Sequence, residues 1–517
     1  MKDFYVPDLH ELLEEAAGKF GDKTFIKYIQ DYEIVEKSFR QVRDDSFALC
    51  RYFLFNSVCG KHIAIAGKTT YNFIIYFFAV LLSGNVAVPF SPDISTNDAI
   101  KLFDDADIDM ILYDNSFAAE SDKIGVAVQR ISKYINISDD ESFNKILSDF
   151  SAKSRFASLS DFRIDKNKCA LIIYTSGTTG KRKGVMLSSN SLISNVMYTD
   201  YCNALDEGMV SLSVLPMHHV YCFSGDCIRN LRDGVTVCLN GDLRNLNASL
   251  RLFEPNVMRV VPLIAQSLLQ RVRNLVTRKN NPMPQDEAIK SVFGKNMIWL
   301  ISGGAYLSPE LVESYNAIGI YLRQGYGMTE AGCRISVPDE TVSYDSVGRV
   351  IDICDVRTQN GEIQVKTPSV MIGYYKQPEE TKKMFTPDGW LRTGDIGYVT
   401  EDRQLFITGR LKNLIILSGG ENVSPEAIEK KFAPIHEVSE VQIYAENDRI
   451  IAEVYPDKEY CENLGIDDIK ATLEEKIKVM NSSAKASHII SELRLRDIPF
   501  EKTESGKLKR KETVVSK

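Results

Sequence analysis

The sequence predicts an α/β protein with a large N-terminal domain of parallel sheets covered by helices and a small α+β domain at the C-terminus. Short apolar runs that indicate buried strands alternate with helical patterns over most of the 517 residues. Near residue 395 the pattern changes to closely spaced hairpins. A hydrophobic content of 44% supplies side chains for large cores, and 9% aromatic residues exclude a disordered chain.

The N-terminal domain begins with alternating strands and helices. Apolar runs at 62–67, 86–90 and 110–113 predict buried strands, and the stretch 71–82 predicts a helix between the first two. The wholly apolar part of that helix is too short to cross a bilayer, so no membrane segment is expected. A second helix is predicted after the polar run at 188–190. The further predicted strands are 170–174, 210–215, 235–239, 257–261, 297–301 and 320–323.

The C-terminal part predicts two hairpins and three helices. The hairpins pair 396–399 with 404–408 and 441–445 with 450–455, each across a polar turn. The predicted helices are 425–432, 469–480 and 488–493. This mixture is typical of a small α+β domain, here of roughly 105 residues.

Charge and cysteine content exclude several classes of protein. A net charge of −8 argues against non-specific nucleic-acid binding, which needs a positive surface. The acidic start of the chain lacks the basic and apolar regions of a secretory signal. The ten cysteines form no CxxC pair and are dilute for this length, so we expect a reducing, cytoplasmic location.

The most informative stretch is 174–187, YTSGTTGKRKGVML, which follows a predicted strand. Glycines let backbone N–H groups approach an anion, hydroxyls add donors, and cations offset phosphate charge. The spacing differs from that of a Walker loop, in which Gly-Lys is followed by Ser or Thr. The stretch predicts a triphosphate site, with an ordinary surface turn as the alternative. Its candidate residues are Thr175, Ser176, Gly177, Thr178, Thr179, Gly180 and Lys183.

With this loop, the chain resembles the acyl-adenylate-forming (AMP-binding) ligase superfamily, and it is most similar to fatty acyl-CoA synthetases. The family's further strings follow in order: LPMHHVY from Leu215, SGGAYL from Ser302, QGYGMTEAG from Gln324, GWLRTGDIGY from Gly389, GRLKNLIILSGGENVSPEAIE from Gly409 and TESGKLKR from Thr503. The resemblance implies a two-step reaction. A carboxylate attacks the α-phosphorus of ATP to give acyl-AMP and pyrophosphate, and a thiol, usually coenzyme A, then displaces AMP.

The resemblance also implies how ATP and Mg²⁺ bind. Glu330 would hold Mg²⁺, a cation that prefers oxygen ligands, and Thr329 would donate to the α-phosphate. Asp395 would accept hydrogen bonds from both ribose hydroxyls, assisted by Arg410 at the start of the linker. The other residues implied to approach the purine and the α-phosphate are Gln324, Gly325, Tyr326, whose ring would stack on adenine, Gly327 and Met328.

The C-terminal strings imply a mobile domain that serves both steps. Lys507 matches the lysine that bridges the carboxylate and the α-phosphate during adenylation, and the alternative is a basic solvated tail. Lys412 would be the pivot of the rotation. The implied boundaries are an N-terminal domain at 1–408, a hinge at 409–412 and a C-terminal lid at 413–517. The candidates for the thiol side are Ser418 and Gly419.

An apolar slot with small residues is expected for the acid. His219 matches the histidine that gates the acid site in the family, and no cation for a second carboxylate is evident nearby. These features favour a medium- or long-chain fatty acid, with aryl acids as the alternative. An amino acid is not expected, because 220–223 contains no acidic residue for its ammonium group, although Asp226 lies close by. The predicted pocket residues are His219, Val220, Tyr221, Gly225, Gly303, Gly304 and Ala305.

Two other functions stay open. A stand-alone ligase would load an acyl or aryl acid onto the phosphopantetheine of a separate acyl-carrier protein; since the chain stops at Lys517, directly after the last string, no fused carrier is expected. A catalytically inactive binding homologue is disfavoured, because four expected site residues are intact: Thr329, Glu330, Asp395 and Lys507. The expected small-molecule partners are therefore a carboxylic acid, ATP with Mg²⁺, and coenzyme A as co-substrate.

Overall fold

The computed structural model describes residues 5–156, 162, 164–175, 182–199, 205–278, 281–417, 421–501 and 508–510. The α-helices of these residues are α1 Leu9–Phe20, α2 Phe39–Phe55, α3 Tyr71–Leu82, α4 Thr96–Asp105, α5 Ala118–Ala127, α6 Asp140–Asp149, α7 Ser189–Met197, α8 Val220–Cys222, α9 Asn230–Asp233, α10 Leu246–Phe253, α11 Pro262–Val276, α12 Gln285–Phe293, α13 Pro309–Ala317, α14 Pro378–Lys383, α15 Pro425–Glu429, α16 Lys458–Asn463 and α17 Ile469–Ser482. A π-helix, Phe223–Arg229, joins α8 to α9.

The strands in the same residues are β1 Thr24–Gln30, β2 Glu33–Ser38, β3 His62–Ala66, β4 Val86–Phe90, β5 Met110–Tyr113, β6 Lys133–Asn136, β7 Cys169–Thr175, β8 Lys183–Ser188, β9 Val210–Ser213, β10 Thr236–Leu239, β11 Val257–Val260, β12 Trp299–Ser302, β13 Tyr321–Gln324, β14 Ser336–Val337, β15 Arg349–Val350, β16 Asp355–Gln359, β17 Glu362–Lys366, β18 Gly373–Tyr374, β19 Leu391–Val399, β20 Leu405–Arg410, β21 Ile415–Ile416, β22 Asn422–Val423, β23 Val438–Glu446, β24 Arg449–Pro456 and β25 Ile490–Leu495.

Two seven-stranded sheets form the N-terminal part. The first has the order β13-β12-β11-β9-β10-β1-β2 and is parallel except for the β1–β2 hairpin. The second has the order β18-β8-β7-β4-β3-β5-β6, with a parallel set from β7 to β6. The prediction of parallel sheets with helices is confirmed. The β1–β2 hairpin was missed, because half-exposed β2 has no clear alternation of apolar and polar residues.

The two sheets share one large hydrophobic cluster with α2 and α3. Every residue of α3 except Asn72 is buried, which confirms the predicted buried helix. Within the described ranges, no helix combines the length and hydrophobicity needed to span a lipid bilayer. In the second sheet, β8 returns antiparallel to β7, so the predicted triphosphate loop connects the two strands of a hairpin.

Two antiparallel hairpins confirm the predicted change of pattern. The hairpin β19–β20 belongs to a four-stranded sheet, β16-β17-β19-β20, and is followed by a 3₁₀ turn, Leu411–Asn413. The hairpin β23–β24 belongs to the small C-terminal unit and carries β25 beside it. Strands β23 to β25 pack with α15 and α17 around a separate apolar cluster, which is the core of this α+β unit.

The helix predicted at 488–493 is wrong, since β25 occupies Ile490–Leu495. Ile490 and Leu493 are both buried, and their spacing of three residues imitates one side of a helix. The register against β24 explains this spacing. Ile450 pairs with Ile490 and Ile451 pairs with Glu492, so an extra residue bulges out of β25 and breaks the alternation of a strand.

Candidate active site

Asp395 is held between two predicted nucleotide strings. Asp395 and Arg410 are cross-strand partners, and the Arg410 Nε lies 2.6 Å from one carboxylate oxygen. The Tyr326 hydroxyl, 69 residues away in the sequence, donates to the other oxygen at 2.5 Å. Burial and the charge of Asp395 raise the pKa of Tyr326 well above its usual value, so the phenol remains a donor. The two oxygens of this buried carboxylate suit the two hydroxyls of a ribose.

The turn that carries Tyr326 has no room for larger side chains. A Cβ on Gly327 would lie 1.7 Å from the Cys333 carbonyl oxygen, so only glycine fits there. Gly325 follows β13 directly, and its N–H donates to the Ser302 carbonyl at 3.0 Å. Met328 and Thr329 come next and are half-buried, with Thr329 opening a 3₁₀ turn, Thr329–Ala331. The predicted purine and α-phosphate residues therefore form one tight segment.

The side chain of Gln324 binds the backbone of the loop that follows β12. Its Nε2 donates to the Ala305 carbonyl at 3.0 Å, and its Oε1 accepts from the Leu307 N–H at 3.2 Å. Gln324 thereby fastens the loop after β12 to the nucleotide segment. The left-handed backbone of Gly304, with φ of 80°, lies in that loop.

Glu330 lies in a network that the sequence did not reveal. The Tyr374 hydroxyl donates to Glu330 Oε1 at 2.8 Å. Lys183 lies over the Tyr374 ring, 4.8 Å from its centroid, and its Nζ forms an ion pair with Glu380 at 2.7 Å. That ion pair is the principal reason that the pKa of Glu380 falls to about 2. The network joins the predicted metal ligand to the end of the triphosphate loop.

Glu330 fits a magnesium ion that is bound mainly through phosphates. Its Oε2 makes no hydrogen bond or ion pair within the described part of the chain. Those residues also contain no group of three or more His, Cys, Asp or Glu that would hold a metal by itself. Mg²⁺ commonly takes one or two protein carboxylates and completes its shell with phosphate oxygens and water.

The two ends of the triphosphate loop are adjacent. Thr175 and Lys183 are cross-strand partners in β7 and β8, and the Thr175 hydroxyl lies 3.5 Å from the Lys183 carbonyl oxygen. Beside Thr175, the Tyr174 hydroxyl donates to Asp105 at 2.6 Å. The predicted loop residues between them lie outside the described residues: Ser176, Gly177, Thr178, Thr179 and Gly180.

The predicted acid residues come from two elements that meet. Exposed His219 precedes α8, whose first residue, Val220, is buried. The Tyr221 hydroxyl donates to the Ile301 carbonyl at 3.0 Å, and a Cβ on Gly303 would lie 3.1 Å from the Tyr221 ring. Tyr221 thus covers Gly303. The neighbouring His218 is mostly buried, and burial, then His219, lowers its pKa to about 3.

The expectation of a purely apolar slot is wrong at Gly225. A Cβ there would lie 2.4 Å from the Nε of Arg259, a β11 residue that the sequence did not indicate. The Arg259 Nη1 forms an ion pair with Asp226 at 2.6 Å, and both side chains are buried. Because Asp226 is already paired with a guanidinium, it is a poor partner for a substrate ammonium. This supports the exclusion of amino acids and places charge beside the predicted pocket.

The segment predicted as a hinge is followed by contacts between the small C-terminal unit and β20. Lys412 is exposed in a 3₁₀ turn, Leu411–Asn413. Beyond it, the Ser424 hydroxyl donates to the Thr408 carbonyl at 2.9 Å, and Lys430 Nζ donates to the Ile407 carbonyl at 2.7 Å. The predicted thiol-side residues Ser418 and Gly419 and the predicted catalytic Lys507 lie outside the described residues.

Comparison with protein families and curated sequences gives consistent matches. A family model described as AMP-binding enzyme matches residues 13–375. Long-chain-fatty-acid–CoA ligase 1 of Cavia porcellus is 28% identical over 381 residues, which cover 62% of this chain and 54% of that protein. The chain thus spans about half the length of the first curated relatives it matches. 2-Succinylbenzoate–CoA ligase of Bacillus cereus is 26% identical, with 81% of each chain covered.

Solved structures share the fold over nearly the whole chain. ATP-bound MatB from Rhodopseudomonas palustris gives a TM-score of 0.80 at 22% identity, covering 96% of this chain and 97% of its own. MenE, the O-succinylbenzoate coenzyme A synthetase of Bacillus subtilis, in complex with ATP and magnesium, gives 0.72 at 22% identity, covering 96% and 98%. At these identities the likeness concerns the fold.

Proposed function

Because this chain belongs to the AMP-binding enzyme family, we propose that it is an AMP-forming acid–thiol ligase, an acyl-CoA synthetase. The acid's carboxylate would attack the α-phosphorus of ATP, releasing pyrophosphate and forming acyl-AMP. The thiol of coenzyme A would then attack the acyl carbon and release AMP. The observation that carries the proposal is the convergence on Asp395 of Tyr326 and Arg410, which come from separate strings.

The described residues suit the binding of Mg·ATP. In this proposal Asp395 accepts the ribose hydroxyls, while the tight turn at Gly327 lets the backbone approach the purine. Thr329 donates to the α-phosphate, and Glu330, fixed by Tyr374, holds the magnesium ion. That ion, when bound, would offset phosphate charge and polarise the reacting phosphoryl group. The ATP and magnesium named for the MenE structure support this assignment.

The proposal also covers the acceptor thiol, the acid and the location of the protein. Names of several relatives support coenzyme A as the acceptor, whereas a carrier protein is the alternative acceptor. The relative named for long-chain fatty acids supports a medium- or long-chain substrate, while the charge beside Gly225 favours a more polar acid. The free thiols of the cysteines in the described residues support a cytoplasmic location.

A product assay tests the proposed reaction. Purified protein is incubated with Mg·ATP and a panel of acids, with and without coenzyme A, and nucleotides and thioesters are separated by chromatography. We expect AMP and acyl-CoA in equal amounts. Asp395→Asn and Glu330→Gln should each lower kcat/KM for ATP by roughly 10²-fold, because charged hydrogen-bond and metal contacts are lost. If no acid yields AMP, the protein is an inactive binding homologue. If a thioester forms only with a carrier protein, the acceptor is that carrier protein and not coenzyme A.

A variant of Lys507 should affect the two half-reactions differently. We expect Lys507→Ala to lower acyl-AMP formation by roughly 10² to 10³-fold, since one preorganised donor at developing charge is removed. Conversion of supplied acyl-AMP to thioester should change little, because the phosphoryl transfer is already complete. Lys509→Ala is the matched control, since Lys509 pairs with Glu501 and belongs to the same basic tail. Equal losses in both half-reactions of Lys507→Ala would contradict the assignment.

A further inference from the structure

Two buried arginines and one buried aspartate lie beside the predicted acid pocket. Arg259 and Asp226 are 1% and 0% exposed, and Arg334 is 4% exposed. Arg259 is ion-paired with Asp226 at 2.6 Å. Burial raises the pKa of Asp226, and the charges of Arg259 and of nearby Arg334 oppose this rise. Arg334 binds Asn195 of α7, and α7 packs against the π-helix that carries Asp226.

Arg334 has no carboxylate of its own in the described part of the chain. Its Nη1 donates to the Asn195 side-chain oxygen at 3.3 Å, and its backbone carbonyl accepts from Asn195 Nδ2 at 2.9 Å. Its Nη2 is buried and has no hydrogen-bond partner among the described residues. A buried guanidinium that forms no ion pair of its own is costly, and Asp226 is already paired with Arg259, so Arg334 has the chemistry of a site for an anion.

The backbone holds Arg334 in place with local strain. Cys333, directly before it, has φ of 113°, a backbone angle that residues other than glycine rarely adopt. The Arg334 N–H donates to Asn195 Oδ1 at 3.1 Å, and the Cys333 carbonyl oxygen fills the space that a side chain on Gly327 of the nucleotide turn would need. Strain of this kind persists where the surroundings fix it and is frequent at binding sites.

The arginines adjoin residues already assigned to the acid. Arg259 packs on Gly225. Ile301, the cross-strand partner of Arg259, accepts a hydrogen bond at its carbonyl from the Tyr221 hydroxyl. Cys333, directly before Arg334, lies in the same buried hydrophobic cluster as Phe223 and Cys227, which belong to the π-helix that carries Asp226. This places a net positive group of side chains at the acid site.

We propose that the activated acid carries a second carboxylate, which binds Arg334 beside the Arg259–Asp226 ion pair. This inference rests on the proposed function and specifies its substrate class. A monocarboxylic acid would place a methyl end against a guanidinium and leave Arg334 unpaired. A second carboxylate would balance the extra charge and accept hydrogen bonds from the Arg334 Nη2.

Matched pairs of acids test this proposal. Mono- and dicarboxylic acids of equal carbon number, from three to eight carbons, are compared by pyrophosphate release and by calorimetric titration in the presence of a non-hydrolysable ATP analogue. For at least one length we expect the diacid to exceed the monoacid about 10-fold or more in kcat/KM and in affinity. Arg334→Met should remove that preference, whereas Arg334→Lys should retain part of it.

Arg51→Met is the matched control for the loss of a buried arginine. Arg51 is 3% exposed in α2 and donates to the Phe150 carbonyl at 2.8 Å, so its variant should keep the diacid preference. Equal or better use of the monoacid at every length would overturn the inference while leaving the ligase function intact. A diacid preference that survives Arg334→Met would also overturn it. Absence of AMP with every acid would refute the proposed function. Calorimetry would then test the inference by itself. Equal or weaker binding of the diacid at every length would overturn the inference.

Discussion

Single residues decide how the proposed metal ligand is held. Tyr374→Phe removes the hydrogen bond to Glu330 and keeps the ring over which Lys183 lies. Because a hydrogen bond to a charged group contributes about 1.5–3 kcal/mol, we expect kcat/KM for Mg·ATP to fall roughly 10-fold or more. Tyr375→Phe is the control, since its hydroxyl donates to Asp107 instead. Steady-state kinetics at varied Mg·ATP would contradict the network if both variants lost activity equally.

Because His218 is mostly buried, we expect the free energy of unfolding to depend on pH. Its pKa is lowered to about 3 by burial and then by His219, so the folded protein keeps the ring neutral. The unfolded chain takes up a proton below about pH 6.5, and stability therefore falls as pH drops from there toward 3. The contribution is at most about 1.4 kcal/mol per pH unit. Urea unfolding from pH 7 to 5 should show a flatter profile for His218→Gln; an unchanged profile would contradict this.

Single residues of the site could be predicted where they belong to a recognisable sequence motif. The residues that contact them could not be predicted. Glu330 and Asp395 stand in such strings, but nothing local to Tyr374 indicates that its hydroxyl reaches Glu330, 44 residues away. Arg259 and Arg334 are polar residues in runs that otherwise predict buried segments. Only the fold shows that Arg259 pairs with Asp226 and that Arg334 binds Asn195, because these contacts depend on strand register and helix packing.

Among the glycines in the described part of the chain, Gly327 has the least room for a side chain. In Gly327→Ala the Cβ would lie 1.7 Å from the Cys333 carbonyl oxygen, so the turn must move. We expect a loss of about 3 kcal/mol in unfolding free energy and loss of the thermal shift on adding ATP. Gly18→Ala in α1 is the control. Gly18 has open space around its Cβ position, so alanine should stabilise the helix by up to about 1 kcal/mol. Normal ATP binding by Gly327→Ala would refute this account of the turn.

Element type was predictable where the apolar pattern was long and regular. Helix α3 and strands β3, β4 and β5 follow directly from such patterns. Strand β25 was not predictable, since its bulge gives a spacing of three between buried residues. The hairpin β1–β2 lies at the edge of its sheet, where one strand is mostly exposed and hydrophobic patterning is weak.

For the molecule as a whole, Lys430 fastens the small unit to the large one. Its Nζ donates to the Ile407 carbonyl at 2.7 Å and lies 4.8 Å from the Tyr306 ring centroid. We expect Lys430→Ala to speed tryptic cleavage within 409–412 about fivefold, because the linker opens more often when this contact is removed. Exposed Lys431, its neighbour, supplies the control variant Lys431→Ala. Cleavage at the parent rate would show that the contact does not restrain the linker. The domain boundaries themselves stay a prediction.

The central claim is that an oxygen of the acid becomes bonded to the α-phosphorus of ATP. Acid labelled with ¹⁸O in both carboxylate positions tests it directly, with Mg·ATP and coenzyme A as the other substrates and mass spectrometry of the nucleotide as the readout. The account predicts AMP that carries one ¹⁸O, because the acyl C–O bond breaks when the thiol attacks acyl-AMP. Unlabelled nucleotide, or ADP with the label in orthophosphate, would contradict it.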